Sequence, residues 1–247
     1  MNFRHIALAA VLVCGATVSA AQAGQRAVIE LFTSQGCSSC PPADRLLGEL
    51  ANDSSLMVLT LPVDYWDYLG WKDTLALKGH TKRQRAYAAA RGDRAVYTPQ
   101  VVVNGVVHVL GSDKAAIEQA VAKTRREEAP LTLPVSVSIA GDTVTVKVAD
   151  AAAGAGEVWL CPVTRKVPVK IGRGENRGDT VTYTNVVRRW VKLGDWNGKA
   201  QTFTHGIAAL ASGDVTLADI DRLDVLVQSN AGSKPGLMLG AATASVR

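Results

Sequence analysis

Two cysteines separated by two residues are the part of this sequence with the clearest chemistry. Cys37 and Cys40 enclose Ser38 and Ser39. This spacing brings both sulfurs within reach of a disulfide, so that one thiol can attack a partner and the other can resolve the mixed disulfide. We predict a reversible Cys37–Cys40 disulfide, with Cys37 as the attacking thiol and Cys40 as the resolving thiol. The same spacing also provides half of a zinc site, so the flanking sequence has to distinguish the two.

A zinc site is not favoured, because the sequence has no second Cys or His pair with suitable spacing. Beyond the N-terminal segment the histidines are His80, His108 and His205, and they stand far apart in the chain. Two thiolates can still hold Cu(I), so a copper-handling protein is an alternative. We otherwise expect no metal and no cofactor.

The first 23 residues have the order of a secretory signal peptide. A basic start at Arg4 is followed by an apolar run from Ile6 to Val18 and by the small residues Ala21 and Ala23. We expect cleavage between Ala23 and Gly24 and a mature protein in the periplasm or outside a bacterial cell. No later stretch is apolar and long enough to cross a bilayer, so the mature chain is not expected to span a membrane.

Cys161 and the net charge of the chain give less information about function than the cysteine pair does. Cys161 follows the apolar residues Val158, Trp159 and Leu160, which indicates a buried thiol, with a role as a third redox partner as the alternative. The net charge of +5 is spread along the 247 residues without interleaved aromatic side chains. We therefore expect no nucleic-acid partner.

Apolar runs and turn signals predict the elements that position the cysteines. The expected strands are 27–32 and 56–61, then 100–103 and 106–110 joined by an Asn104–Gly105 turn, whose residues favour the positive φ angles of a hairpin. The expected helices begin near Pro41 or Pro42, run over 81–91, and extend from a cap at Ser112 to about Arg126. The order is β-α-β-α-β-β-α.

The prolines after the second cysteine affect its environment. Pro41 and Pro42 are tolerated in a first helical turn, but a proline disfavours helical geometry in the residue before it. We expect the regular helix to begin after Cys40, which weakens the field of its N-terminus at Cys37. A strongly acidic Cys37 thiol is therefore not predicted.

Together with Thr98-Pro99 before the third strand, the Cys-Ser-Ser-Cys motif resembles the thioredoxin superfamily. The segments 30–44, 63–71, 97–100 and 172–178 more narrowly resemble an uncharacterised family of secreted, thioredoxin-like bacterial proteins. The resemblance implies a cis Thr98–Pro99 bond facing the cysteines, with Thr98 binding an extended substrate through its backbone and Pro99 setting the geometry. Substrates would be protein thiols, disulfides or small thiols, and a membrane redox partner could reset the disulfide.

Two further segments have alternative interpretations. Tyr65, Trp66 and Trp71 lie in an aromatic connection that either forms a local hydrophobic cluster or caps the cysteines and binds substrate. The glycine-rich segment 172–178 is either a wide turn or brings Glu175, Asn176 and Arg177 towards the redox face.

The second half of the chain changes to short strands with alternating apolar residues and Gly or Asp turns, typical of an antiparallel sandwich. We predict a signal peptide over 1–23, an α/β thioredoxin-like domain over 24–129 and an all-β, antiparallel sandwich-like domain over 130–247. The predicted function is that of an exported thiol–disulfide oxidoreductase, and an enzyme is favoured over a protein without catalytic activity. The alternative to catalysis, besides copper handling, is a secreted binding module with a structural disulfide.

Overall fold

The computed structural model describes residues 25–152, 154–231 and 234–246. The predicted signal peptide and its cleavage site lie outside these residues. Within them no helix is both long and apolar enough to cross a membrane.

The described residues form twelve strands and three α-helices. The strands are β1 (Ala27–Thr33), β2 (Leu56–Pro62), β3 (Gln100–Val103), β4 (Val107–Leu110), β5 (Val135–Ala140), β6 (Thr143–Val148), β7 (Gly156–Lys170), β8 (Thr180–Val187), β9 (Val191–Trp196), β10 (Gln201–Gly206), β11 (Arg222–Ala231) and β12 (Lys234–Ser245). The helices are α1 (Pro41–Leu50), α2 (Lys78–Arg91) and α3 (Lys114–Glu127), with short 3-10 turns at Asp67–Leu69, Ile207–Leu210 and Leu217–Asp219.

Nine of the strands form one mixed sheet. Its order is β12-β11-β7-β8-β2-β1-β3-β4, with β9 paired to β7. The central strands β1 and β2 are parallel, and every residue of both is buried. Continuous apolar runs fit such strands because both faces of the sheet are covered there. The other three strands form a separate sheet in the order β10-β6-β5.

This architecture corrects the predicted fold class. The protein is mostly β, and it is not an α/β thioredoxin-like domain followed by an all-β antiparallel sandwich. Strand β8 pairs in parallel with β2 at Thr60 and Val186, and the Thr60 hydroxyl donates to the Thr184 carbonyl. The large sheet therefore takes strands from both sides of the predicted boundary at residue 130. Alternation along a strand indicates which face is buried but not which strand lies at its edge, so this pairing was missed.

Most of the predicted elements of the first half are present with shifted ends. The Asn104–Gly105 turn is confirmed, with φ values of 50° and 79°. Helix α2 begins three residues earlier than predicted, at Lys78. The predicted cap of α3 is wrong by one residue: the Asp113 carboxylate, and not Ser112, accepts the Ala116 N–H, at 2.9 Å.

Separate apolar clusters cover the sheet. One face of β1 packs on α1 and α3 through Leu31, Leu47 and Ile117. The other face contributes Phe32 to a cluster with Tyr87 of α2. The three-stranded sheet packs on β7 and β11, with side chains such as Val146, Leu160 and Val225 between them.

Candidate functional site

The cysteine pair lies between the carboxyl end of β1 and the start of α1. Cys37 and Cys40 form a disulfide with 5.4 Å between their Cα atoms, which confirms the predicted pairing. The Cys37 N–H donates to the Ser34 carbonyl at 3.2 Å and the Cys40 N–H to the Cys37 carbonyl at 3.1 Å. Both cysteines are buried, with exposed fractions of 1% and 0%. Ser38 and Ser39 between them are exposed.

Helix α1 begins directly after the disulfide, as predicted, but Cys40 itself keeps helical backbone angles, with φ −79° and ψ −36°. Cys40 occupies the N-cap position, Pro41 is the first helical residue, and no side chain caps the helix. The Cys40 carbonyl accepts the N–H groups of Ala43 and Asp44, at 2.9 and 3.1 Å. Since the two prolines have no N–H to donate, few amides of this helix end remain for a negative charge on sulfur.

Gln35 is the residue that fixes the loop before the first cysteine. Its backbone N–H donates to Asp73 Oδ2 at 2.8 Å, and its side-chain Nε2 donates to Thr74 Oγ1 at 3.0 Å. The Trp71 indole donates to Gln35 Oε1 at 2.8 Å. Trp71, predicted as a binding residue, therefore reaches the cysteine loop by supporting Gln35.

Trp66 covers the loop from another side. A Cβ at Gly36 would lie 3.1 Å from the Trp66 Cβ, so the indole-bearing residue packs directly over this glycine. The Trp66 Nε1 donates to Thr98 Oγ1 at 2.7 Å. Tyr68, which is 76% exposed, stacks on Trp66 with ring centroids 6.3 Å apart. An aromatic surface thus connects Thr98 with the residue before Cys37.

Tyr65 lies beside Trp66, with ring centroids 6.1 Å apart, and also reaches α2. Its hydroxyl donates to Gln84 Oε1 of α2 at 3.1 Å, and burial raises the pKa of the phenol. A side-chain hydrogen bond with Thr98 opposes that rise, so Tyr65 and Trp66 both reach Thr98.

The Thr98–Pro99 bond is cis, as predicted. Pro99 directly precedes β3, and Gln100 of β3 pairs with Phe32 of β1. The Pro99 carbonyl accepts the Gly111 N–H at 3.0 Å. Because β1 and β3 are antiparallel, Pro99 lies beside the carboxyl end of β1, the end from which the cysteine loop continues. The binding roles of Thr98 and Pro99 remain predictions.

The glycine-rich segment 172–178 joins β7 to β8 and reaches the cysteine loop. Asn176 is buried, and its Nδ2 donates to the carbonyls of Gln35 and Cys37, both at 2.9 Å. Glu175 Oε2 accepts the Ser38 N–H at 3.3 Å. Of the three residues named in the second interpretation, Glu175 and Asn176 make these contacts, whereas Arg177 contributes a backbone N–H to the turn itself.

Two buried carboxyl groups beside the loop were missed from the sequence. Asp44 is 3% exposed, and burial raises its pKa from 3.8 to about 8. The neighbouring Thr33 hydroxyl lowers this pKa, but neither carboxyl oxygen has a well-formed hydrogen bond to the described residues. Burial also raises the pKa of Asp73, to about 6, although its oxygens accept the N–H groups of Gln35 and Leu75. The sequence did contain an indication for Asp44, because it stands four residues after Cys40 and therefore lies on the same face of α1 as this cysteine.

Cys161 is a buried thiol on β7, as predicted. It packs in the cluster of Phe32 and Tyr87, and burial raises its thiol pKa well above the usual value. His80 is buried with its Nδ1 at 2.9 Å from the Pro62 carbonyl, and burial lowers its pKa to about 4. His108 contacts Tyr97 and Asp93. Within the described ranges no cluster of three or more Cys, His, Asp and Glu side chains is arranged to hold a metal.

Comparison with known proteins identifies relatives without an assigned activity. A family described as a protein of unknown function (DUF1223) matches residues 28–228. A crystal structure of an Agrobacterium tumefaciens protein is similar with 34% identity and a TM-score of 0.79, over 90% of this chain and 95% of that one. HBP35 of Porphyromonas gingivalis has a similar fold at 12% identity, with a TM-score of 0.57 over 90% of this chain and 75% of that one. No curated protein matches.

Proposed function

Because the chain belongs to the DUF1223 family, whose function is not known, we propose a function from the site itself: thiol–disulfide exchange through Cys37 and Cys40. The substrates are protein thiols, protein disulfides or small thiols. The observation that carries the proposal is a disulfide closed across two exposed residues at the start of a helix.

The exchange proceeds in two displacements. In the reducing direction the Cys37 thiolate attacks a substrate disulfide, forms a mixed disulfide and releases one substrate sulfur as a thiolate. The Cys40 thiolate then attacks the Cys37 sulfur, which releases the second substrate sulfur and leaves the pair oxidised. Two electrons pass to the substrate, and the released thiolates take up protons from the solvent. The oxidising direction is the reverse of these steps.

The surroundings of the pair support an extended substrate segment. Thr98 can offer backbone groups beside the carboxyl end of β1, in the manner of strand addition, which leaves side-chain specificity loose. Trp66 and the exposed Tyr68 supply rigid aromatic contact area next to it. Pro99 sets the backbone geometry, while Tyr65 and Trp71 act through Gln84 and Gln35.

The proposed location is the periplasm or the extracellular space. The signal-peptide pattern of residues 1–23 supports export, and thiols are readily oxidised in those compartments. A membrane redox partner that reduces or oxidises the pair would complete the cycle.

One observation favours a second function. Both cysteines are buried, which fits a structural disulfide in a non-catalytic binding module as well as it fits a redox pair shielded from solvent. Structural disulfides in secreted proteins resist reduction by the glutathione pool, whereas catalytic ones exchange readily. The reactivity of the native pair therefore separates the two functions.

The deciding experiment compares the mature wild-type protein with Cys37→Ser and Cys161→Ser. Insulin reduction and reactivation of scrambled ribonuclease measure exchange, and a Cu(I) titration of the reduced protein tests the copper alternative. We expect exchange by wild type and by Cys161→Ser, and its loss in Cys37→Ser. Equal rates for wild type and Cys37→Ser would refute catalysis, and stoichiometric tight Cu(I) binding without exchange would favour copper handling.

A further inference from the structure

The turn between β7 and β8 is fixed against the cysteine loop. Asn176 provides two hydrogen bonds, to the Gln35 and Cys37 carbonyls, from a position that is 6% exposed. The turn is closed on itself as well, because the Gly178 N–H donates to the Ile171 carbonyl at 2.9 Å. The backbone on both sides of Glu175 is therefore held in place.

Trp71 holds the same turn from outside. A Cβ at Gly172 would lie 2.9 Å from Trp71 Cζ3, and a Cβ at Gly174 would lie 3.5 Å from the Trp71 Cβ. Gly174 also has a φ of 79°, a backbone conformation that side-chain-bearing residues rarely adopt. Glycines at these positions let the turn approach Trp71 and the cysteine loop closely.

In this position the Glu175 carboxylate accepts a hydrogen bond from the Ser38 N–H, the amide next to Cys37. The N–H groups of Cys37 and Cys40 already donate to carbonyls within the loop. The donors near Cys37 that could stabilise a thiolate include the Ser39 hydroxyl, 3.4 Å from Cys37 Sγ, and the Ser38 amide, and the Glu175 carboxylate occupies the amide. A carboxylate there also repels the charge on the sulfur directly.

We propose that Glu175 is a positioning residue that disfavours the Cys37 thiolate and so makes the Cys37–Cys40 pair a weaker oxidant. This rests on the proposed exchange function, because Glu175 would adjust the redox potential of the same cysteine pair. Reduction adds two electrons and two protons to the disulfide. Any group that destabilises the thiolate form of the product therefore favours the disulfide and lowers the reduction potential.

The effect depends on pH in a defined way. At acidic pH both thiols of the reduced pair are protonated, so Glu175 has no thiolate to repel and the potential is independent of it. At alkaline pH the thiolate is populated and the repulsion appears. The other titratable or charged groups on the elements around the loop are Asp44, Arg45 and Glu49 of α1, Asp64, Asp67, Lys72 and Asp73 of the connection after β2, and Arg173, Arg177 and Asp179 of the turn. These groups are unchanged in the variant tested.

The test compares Glu175→Gln with Asp179→Asn in the otherwise unchanged mature protein. Asp179→Asn is the matched control, because it removes the same charge from an exposed position of the same turn. The rate of Cys37 alkylation against pH gives the thiol pKa, and equilibration with dithiothreitol at pH 6 and pH 8.5 gives the potential. Thermal melting confirms that both variants fold.

For Glu175→Gln we expect the Cys37 thiol equilibrium to shift by about threefold towards the thiolate, the scale of one like charge in a solvent-exposed setting. The variant should be the stronger oxidant at pH 8.5 and equal to wild type at pH 6, with Asp179→Asn close to wild type at both. Unchanged alkylation and potential in Glu175→Gln, or an equal shift in Asp179→Asn, would overturn the inference alone. A pair that dithiothreitol cannot reduce in the native protein would overturn the exchange function and this inference together.

Discussion

At the scale of single residues, the site combines a buried disulfide with buried polar groups that hold it. The cysteines themselves follow from their spacing. Asn176, which lies 139 residues from Cys37 in sequence, was named in one of the two interpretations of its glycine-rich turn, but its contact with the Cys37 carbonyl needs the fold, because a single Asn carries no signal of a specific distant partner. Glu175 was named as an alternative from the sequence, but its contact with the Ser38 amide depends on the path of the same turn.

Asp44 gives the sharpest prediction at this scale. Its pKa is about 8 in the folded protein and near 3.8 when exposed to water, so the folded state holds a proton that the unfolded state releases between these values. The unfolded state binds fewer protons in that window, and the contribution of Asp44 to stability therefore falls as the pH rises from about 4 to about 8. At about 1.4 kcal/mol per pKa unit, the contribution of Asp44 to the free energy of unfolding falls by roughly 5 kcal/mol over this pH range.

The Asp44→Asn variant should remove this dependence, because an amide cannot ionise. We expect its melting temperature to exceed that of wild type at pH 8 and to differ little from it at pH 4. Glu118→Gln, at an exposed position of α3, serves as the control and should leave the pH profile unchanged. His80 and Asp73 also titrate in this window, so the difference between the two profiles is what isolates Asp44. A difference in melting temperature between Asp44→Asn and wild type that does not grow from pH 4 to pH 8 would contradict the raised pKa of Asp44.

Asn176 yields a second residue-scale prediction. Asn176→Ala leaves the Gln35 carbonyl without its buried side-chain donor, whereas the Cys37 carbonyl keeps the Cys40 N–H, and an unsatisfied buried group costs about 1–3 kcal/mol. We expect a loss of unfolding free energy in that range by urea denaturation. Asn52→Ala, at an exposed position after α1, should cost less than about 0.5 kcal/mol. Equal stabilities of the two variants would show that the turn does not hold the loop.

At the scale of elements, local patterns predicted much of the first half of the chain. The strand at 100–103 has the predicted ends, and the first two strands are each one residue longer than predicted. The second half was harder, since short alternating strands were predicted and β7 is 15 residues long. A strand that changes neighbours along its length, as β7 does between β9 and β8, has no single alternation pattern.

The connection after β2 makes an element-scale prediction. Trp66→Phe keeps an aromatic side chain and the Cβ next to Gly36 but removes the indole donor to Thr98. Without this hydrogen bond the Thr98 backbone should be held less firmly. If Thr98 binds an extended substrate, kcat/KM for a protein disulfide should then fall several-fold. The rate with dithiothreitol, which needs no extended binding, should stay near that of wild type. An equal fall with both substrates would argue against a substrate-binding role of this contact.

At the scale of the whole molecule, one sheet joins the two halves of the chain. Leu59 and Leu61 of β2 pack in a cluster with Val163 and Val187, which come from β7 and β8. A sequence read element by element cannot show this joining, because the apolar residues of β2 are equally compatible with cover from a local helix. The wrong fold class follows from that ambiguity.

This architecture predicts how a fragment behaves. Residues 24–129 alone would expose the buried β2 edge and the apolar surface now covered by β7 and β8, and an uncovered edge of this kind favours aggregation. We expect the fragment to lack a cooperative melting transition, while residues 24–247 unfold in one transition by circular dichroism and tryptophan fluorescence. A monomeric fragment with its own cooperative transition would show that the first half folds independently.

The central claim is that Cys37 attacks a substrate disulfide and Cys40 resolves the product, and trapping of the intermediate tests it most directly. The reduced mature Cys40→Ser variant is mixed with insulin, and non-reducing mass spectrometry measures the adducts. We predict a mixed disulfide between Cys37 and an insulin chain that accumulates in Cys40→Ser, is absent in Cys37→Ser and disappears with dithiothreitol. No adduct in Cys40→Ser, or an adduct through Cys161 alone, would contradict the account.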